Sequence, residues 1–231
     1  MKKGIVNLIL CGVIFAVGGI TLAPFGDGKT VSSLEEPYRL GKSEDGVSLT
    51  FNVYQGKDIV YGILDTLDKY NAKSTFYIGG CWADDNEECV REIEKRGHEI
   101  GNHGYFHKDH SKMSEDENLR EISVCNDFLK LCVGVTPTLF APPSGAYSEK
   151  QIAAANKLGM KTVLWSRDTV DWRDKDKNTV YVRATKEIKA GEIVLMHPYE
   201  WTLAELGDVL EYNNECSLRA ITVSENLNLG G

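Results

Sequence analysis

The pattern of apolar and polar residues changes character twice along the chain. Residues 5–23, IVNLILCGVIFAVGGITLA, carry no charge and follow Lys2 and Lys3. As an apolar helix, a run of this length spans a bilayer, and it is long for the core of a signal peptide. Pro24 directly after Ala23 disfavours cleavage there, so residues 1–23 read as a membrane anchor, with a cleaved signal peptide as the alternative. Either way the lysines stay inside and the rest of the chain is exported. Residues 24–46 show no sustained period and read as a linker. From residue 47 onward short apolar runs alternate with amphipathic stretches, so one domain is expected over 47–231.

Within that domain VSLTF (47–51), STFYI (74–78), HEIGN (98–102), TLF (138–140), KTVLW (161–165), IVLMH (193–197) and RAITV (219–223) read as strands. Ile59, Val60, Ile63, Leu64 and Leu67 recur at helical spacing. EECVREIEKRG predicts a short helix stopped by Gly97. Ser114 with Glu117, and Ser148 with Gln151, each have the spacing of a capping box, for helices reaching Leu131 and Gly159. Further helices are expected over 179–189 and 201–213. Seven strands alternating with six helices predict a parallel sheet with helical crossovers, as a barrel or an open sheet.

Composition agrees with this picture and narrows it. The 231 residues are 42% hydrophobic and 26% charged, enough for one sizeable core. The formal net charge is −8, and no Lys/Arg cluster forms a phosphate footprint, so nucleic acid is excluded as an expected partner. Outside the apolar segment stand Cys81, Cys89, Cys125, Cys132 and Cys216, with no CxxC pair. Cys125 and Cys132 on one helix would lie about 10 Å apart along it, too far for a bridge.

The unusual polar residues fall where the expected strands end. Asn52 follows the first strand, and His103 and His107 follow the third. APPSG (141–145) follows the fourth, Asp168 and Asp171-Trp172 the fifth, and His197 ends the sixth. In parallel βα folds that face gathers sites from separate loops. Residues four apart lie about 13 Å apart in a strand, too far to share a metal ion. On one helical turn they share a face, and both imidazoles reach one ion. Gly104 suits the turn out of the strand. The bland alternative is a pair of surface histidines. His98 reads as structural, and His110 as a surface residue. A catalytic zinc site needs a third protein ligand, which the spacing does not assign.

The ordered set HGYFH, FAPPSG, RDTVDW and IVLMHP resembles the polysaccharide deacetylases with a NodB homology domain, carbohydrate esterase family four, over residues 45–225. The resemblance implies a deformed seven-stranded (β/α) barrel, a divalent metal (zinc or cobalt), and hydrolysis of acetyl groups on a cell-wall-type polysaccharide such as peptidoglycan. N-acetyl is the expected linkage and O-acetyl the alternative. It implies that His103 and His107 are metal ligands and that His197 is a general acid tuned by Asp171. Leu195, Trp172 and Pro143 would shape the substrate pocket. The family's first motif reads Thr-Phe-Asp-Asp-Gly, base first and metal ligand second; here the residues are Thr50-Phe51-Asn52-Val53. A sporulation-associated branch carries Asp, an aliphatic residue, Asn, Trp and Gly there, which Asn52-Val53-Tyr54-Gln55-Gly56 approaches without its aspartate. The arginine that holds the base is replaced by Ala141. Loss of base and base-holder together leaves no buried orphan charge. Two readings follow: a deacetylase that works with a substitute base, and a membrane-tethered glycan-binding pseudoenzyme.

Overall fold

The computed structural model describes residues 35–229. The charge-free stretch expected as an N-terminal apolar helix, with most of the expected linker, lies outside them. No helix among the described residues is long and apolar enough to cross a membrane.

The strands are β1 (Gly46–Val53), β2 (Thr75–Ile78), β3 (Glu99–Asn102), β4 (Leu139–Phe140), β5 (Lys161–Thr162), β6 (Arg167–Asp168), β7 (Ile193–Met196) and β8 (Arg219–Ala220). They pair in the order β5-β4-β3-β2-β1-β7-β6, with β8 beside the start of β1, and every pairing is parallel. This is the expected deformed α/β barrel. The helices are α1 (Lys57–Lys69), α2 (Gly80–Asp85), α3 (Glu87–Lys95), α4 (Glu115–Val133), α5 (Glu149–Lys157), α6 (Asp171–Asp174), α7 (Lys177–Thr185), α8 (Glu200–Glu215) and α9 (Val223–Leu227).

β1 shows why the barrel forms. Val47, Leu49, Phe51 and Val53 are fully buried in one cluster with Val60, Ile63, Leu64 and Leu67 of α1. Period-two alternation sends Ser48, Thr50 and Asn52 to the other face, the barrel interior. At the strand starts that interior is a closed polar floor. Asn226 Nδ2 donates to Ser48 Oγ (3.0 Å), and Thr75 Oγ1 donates to Glu99 Oε2 (2.6 Å). Above it Tyr77 packs with Leu139, Ala141, Val163 and Ile193. Gly101 makes room for that ring, since a Cβ there would sit 2.4 Å from Tyr77 Cδ1.

Several expectations are corrected in detail. KTVLW is not one strand. Only Lys161 and Thr162 pair with β4; Val163 bridges Tyr38 instead, and the chain then crosses to form β6 beside β7. RAITV yields two strand residues before α9 begins. The Ser114–Glu117 capping box is complete (Glu117 N to Ser114 Oγ 3.3 Å, Ser114 N to Glu117 Oε2 2.8 Å). The second box is half made: Ser148 Oγ accepts from Gln151 N, while the Gln151 amide donates to Thr162 Oγ1 (3.0 Å).

The last part of the stretch read as a linker is fastened to the barrel. Tyr38 N donates to Thr162 O (2.9 Å), Leu164 N donates to Tyr38 O (2.7 Å), and Leu40 bridges Glu192. Residues 38–41 thus lie between the end of β5 and the start of β7.

Candidate active site

The C-terminal ends of the strands surround a cavity of about 280 Å³. β1 contributes Asn52 and, just beyond it, Tyr54. The loop after β3 contributes His103 and His107, and the turn after β4 contributes Ser144. Trp165 enters from the β5–β6 crossing, Asp168 from the end of β6, Trp172 from α6, and Leu195 and His197 from β7 and its end.

His103 and His107 do meet, with ring centroids 5.1 Å apart. They meet on a loop rather than on the expected helical turn: Gly104 (φ +75°) and His107 (φ +54°) both take left-handed backbone. Two anchors hold that loop. The first N–H groups of α2, on Gly80 and Cys81, donate to the carbonyls of Gly104 (3.0 Å) and Tyr105 (2.9 Å). The buried carboxylate of Glu121 accepts from Phe106 N. His103 Nδ1 donates to Ala141 O (2.7 Å), which fixes the tautomer and leaves Nε2 as a lone pair. Burial, and then the neighbouring His107, hold the His103 pKa well below its ordinary value; burial lowers that of His107 too. Both rings are therefore neutral at pH 7.

Across the cavity stands a completed pair. His197 Nδ1 donates to Asp171 Oδ1 (2.7 Å), and the His197 backbone N–H donates to Asp171 Oδ2 (2.7 Å). Thr202 Oγ1 donates to the same Oδ2 (2.8 Å), and Trp201 Nε1 to the Asp171 carbonyl (2.8 Å). The Asp171 side chain has no exposed surface. His197 Nε2 is thereby left available for a proton or a hydrogen bond on the cavity side.

The opposite wall is incomplete. Asn52 is 3% exposed, and its Oδ1 is buried without a hydrogen-bond partner. Ala141 packs against Tyr77 and Val163 and brings no cation. Val53, expected from the motif to stand where the family has its metal carboxylate, is fully buried in the outer cluster, on the opposite face of β1 from Asn52. Among the described residues no group of three His, Cys, Asp or Glu side chains could hold a metal ion. Deacetylases of this kind are metal-dependent in general. The two imidazoles present suit zinc or cobalt, but the donor set stops one short of the three protein ligands a catalytic site requires.

Leu195 (3% exposed) and Trp172 (48% exposed) line the cavity, one as its floor and one at its mouth. Pro143 is buried at the start of a 3₁₀ turn, and its neighbour Ser144 reaches the cavity instead. His98 is buried, as a structural residue should be. His110, expected at the surface, is fully buried, with Nδ1 bonded to Asn118 Oδ1 (2.6 Å). Sequence reasoning reached Ser144 only as part of APPSG, and it missed Trp165 and the Asp171 partners Thr202 and Trp201. The strand end at Trp165 was a usable signal; nothing in the sequence links Thr202 to Asp171.

Comparison with known proteins agrees with the geometry. The polysaccharide deacetylase profile matches residues 40–163, more than half of the chain. The Bacillus subtilis protein YlxY, of uncharacterised function, is 32% identical over 83% of this chain, which spans 60% of YlxY's length. A peptidoglycan-N-acetylglucosamine deacetylase of Bacillus cereus is 32% identical over 81% of this chain and 91% of its own. The solved structure of BA3943, a CE4 family pseudoenzyme from Bacillus anthracis, superposes with a TM-score of 0.80 at 30% identity, covering 83% of this chain and 69% of that one. Fold, cavity and relatives converge: the chain belongs to the polysaccharide deacetylase family.

Proposed function

We propose that the protein holds N-acetylated sugars of a peptidoglycan-type polysaccharide in its deacetylase cleft, and that hydrolysis of the acetyl group by the family route is disabled. The observation that carries this reading is the asymmetry of the cavity. Its acid side, His197 on Asp171, is complete at 2.7 Å. Its base side offers the amide of Asn52, which can hydrogen-bond a substrate but cannot take a proton from water. Leu195 and the exposed face of Trp172 supply apolar surface for an acetyl methyl and a sugar ring. The relatives named for peptidoglycan deacetylation support a cell-wall glycan and action outside the cytoplasm, and the charge-free residues 5–23 support attachment to the membrane.

The test is binding of N-acetylglucosamine oligomers by calorimetry alongside enzymatic detection of released acetate, with zinc or cobalt added. The expected result is saturable binding, weakened by Trp172→Ala, with acetate release no greater than from His103→Ala. Absence of binding to any N-acetylated glycan would overturn the proposal. A second reading, slow hydrolysis without the family base, is favoured by the intact His197–Asp171 pair. Loss of a general base lowers a rate by about 10²–10⁴-fold, which leaves it measurable. That reading requires acetate release that disappears in His197→Ala.

A further inference from the structure

We infer that the third ligand position of the deacetylase metal site is residue 54 in this chain, not residue 53, and that Tyr54 closes it. Val53 pairs with Ile78 in the last rung of β1 and β2, and its side chain is fully buried with Phe51, Phe76 and Ile78 in the outer cluster. A carboxylate there would enter the apolar layer under the helices. Alternation along the strand returns the next side chain to the cavity, and Tyr54 lines it. The Tyr54 ring lies 4.1 Å, centroid to centroid, from His107, tilted by 38°, and 6.4 Å from His103. With the two imidazoles 5.1 Å apart, the three rings pack as one group. The phenol ring thus occupies the space beside both imidazoles that a short ligating side chain would otherwise use. Tyr54 is 36% exposed, so this packing serves the cleft and not the core. The histidine pair becomes part of an aromatic wall of the cavity in place of a metal centre.

The inference rests on membership of the family and not on glycan binding. It is tested on the purified protein by zinc competition against a chromophoric chelator, with melting temperatures measured in parallel. Wild type, Tyr54→Asp, Val53→Asp and the double variant Tyr54→Asp/His103→Ala are compared. Tyr54→Asp should take up one zinc per chain, on the order of 100-fold tighter than wild type, because it adds the missing third ligand. Adding His103→Ala should abolish the gain, and Val53→Asp should lower the melting temperature without gaining zinc. Tyr54→Glu repeats the measurement with a longer arm should Tyr54→Asp fold poorly. Wild type binding one zinc as tightly as the aspartate variant would overturn the inference. So would a gain in Val53→Asp, or folded Tyr54→Asp and Tyr54→Glu proteins that both bind no better than wild type. None of these readouts involves a sugar, so failure here leaves the glycan-binding proposal standing, and the converse holds.

Discussion

Asp171 grips His197 at two points, accepting from its ring Nδ1–H and from its backbone N–H, each at 2.7 Å. With Thr202, three donors converge on one buried carboxylate. Asp171→Ala strands all three, and the expected loss is about 3–5 kcal/mol. Thr202→Val removes a donor instead of the acceptor and should lose about 1 kcal/mol. Denaturant unfolding of both variants checks the ranking. Equal losses would mean that the carboxylate is not the organising group.

Asn52→Asp places a carboxyl where an amide oxygen is already buried without a partner. Burial raises the folded pKa of the introduced acid above its unfolded value of about 3.9. Below that pH both states are neutral and the variant should match wild type. As pH rises the unfolded state ionises first, so the penalty grows, to about 2–4 kcal/mol at pH 7. Adding Ala141→Arg supplies the cation that the family uses and should recover part of the loss. Urea titrations from pH 4 to 8 give the answer; a pH-independent penalty would refute buried ionisation.

His98 has neither ring nitrogen hydrogen-bonded, and burial pushes its pKa down to about 4. Lys73 and Arg96 push the same way, Asp68 opposes, and Glu94 and Glu99 line the adjacent cavity. The depressed folded value means that the unfolded state binds the proton first. Stability from this group is complete above about pH 6.5 and is lost as pH falls toward 4, by roughly 2–3 kcal/mol. His98→Phe keeps the edge contact to Phe76 and deletes both orphan nitrogens. It should equal or exceed wild type at pH 7 and flatten that acid limb, read as melting temperature against pH.

Gly101→Ala drives a methyl to 2.4 Å from the Tyr77 ring. Overpacking of this kind costs about 1–3 kcal/mol, and calorimetric unfolding should show it. An unchanged melting temperature would mean that the Tyr77 ring has room to move.

The strands were legible because their outward positions are uninterrupted apolar residues, as in Val47, Leu49, Phe51 and Val53. The face of the site was legible because polar residues cluster where those runs stop. The same alternation directs Val53, which stands at the motif's ligand position, outward into the core and Tyr54 inward to the cavity. KTVLW misled because its apolarity reflects burial among Tyr77, Ala141 and Ile193 rather than continuous pairing. The left-handed backbone at His107 and the reach of Thr202 to Asp171 are tertiary facts with no local signature.

The seam filled by residues 38–41 has a practical consequence. A truncated protein beginning at residue 47 would keep every helix and strand named above except Gly46, yet would expose the Leu164 amide and the Thr162 carbonyl that Tyr38 now satisfies. Such a fragment would carry a raw edge at β5, open to pairing with a second copy. A fragment that starts before Glu35 keeps its own clasp, and comparing the two by light scattering would show whether those few residues keep the barrel to itself.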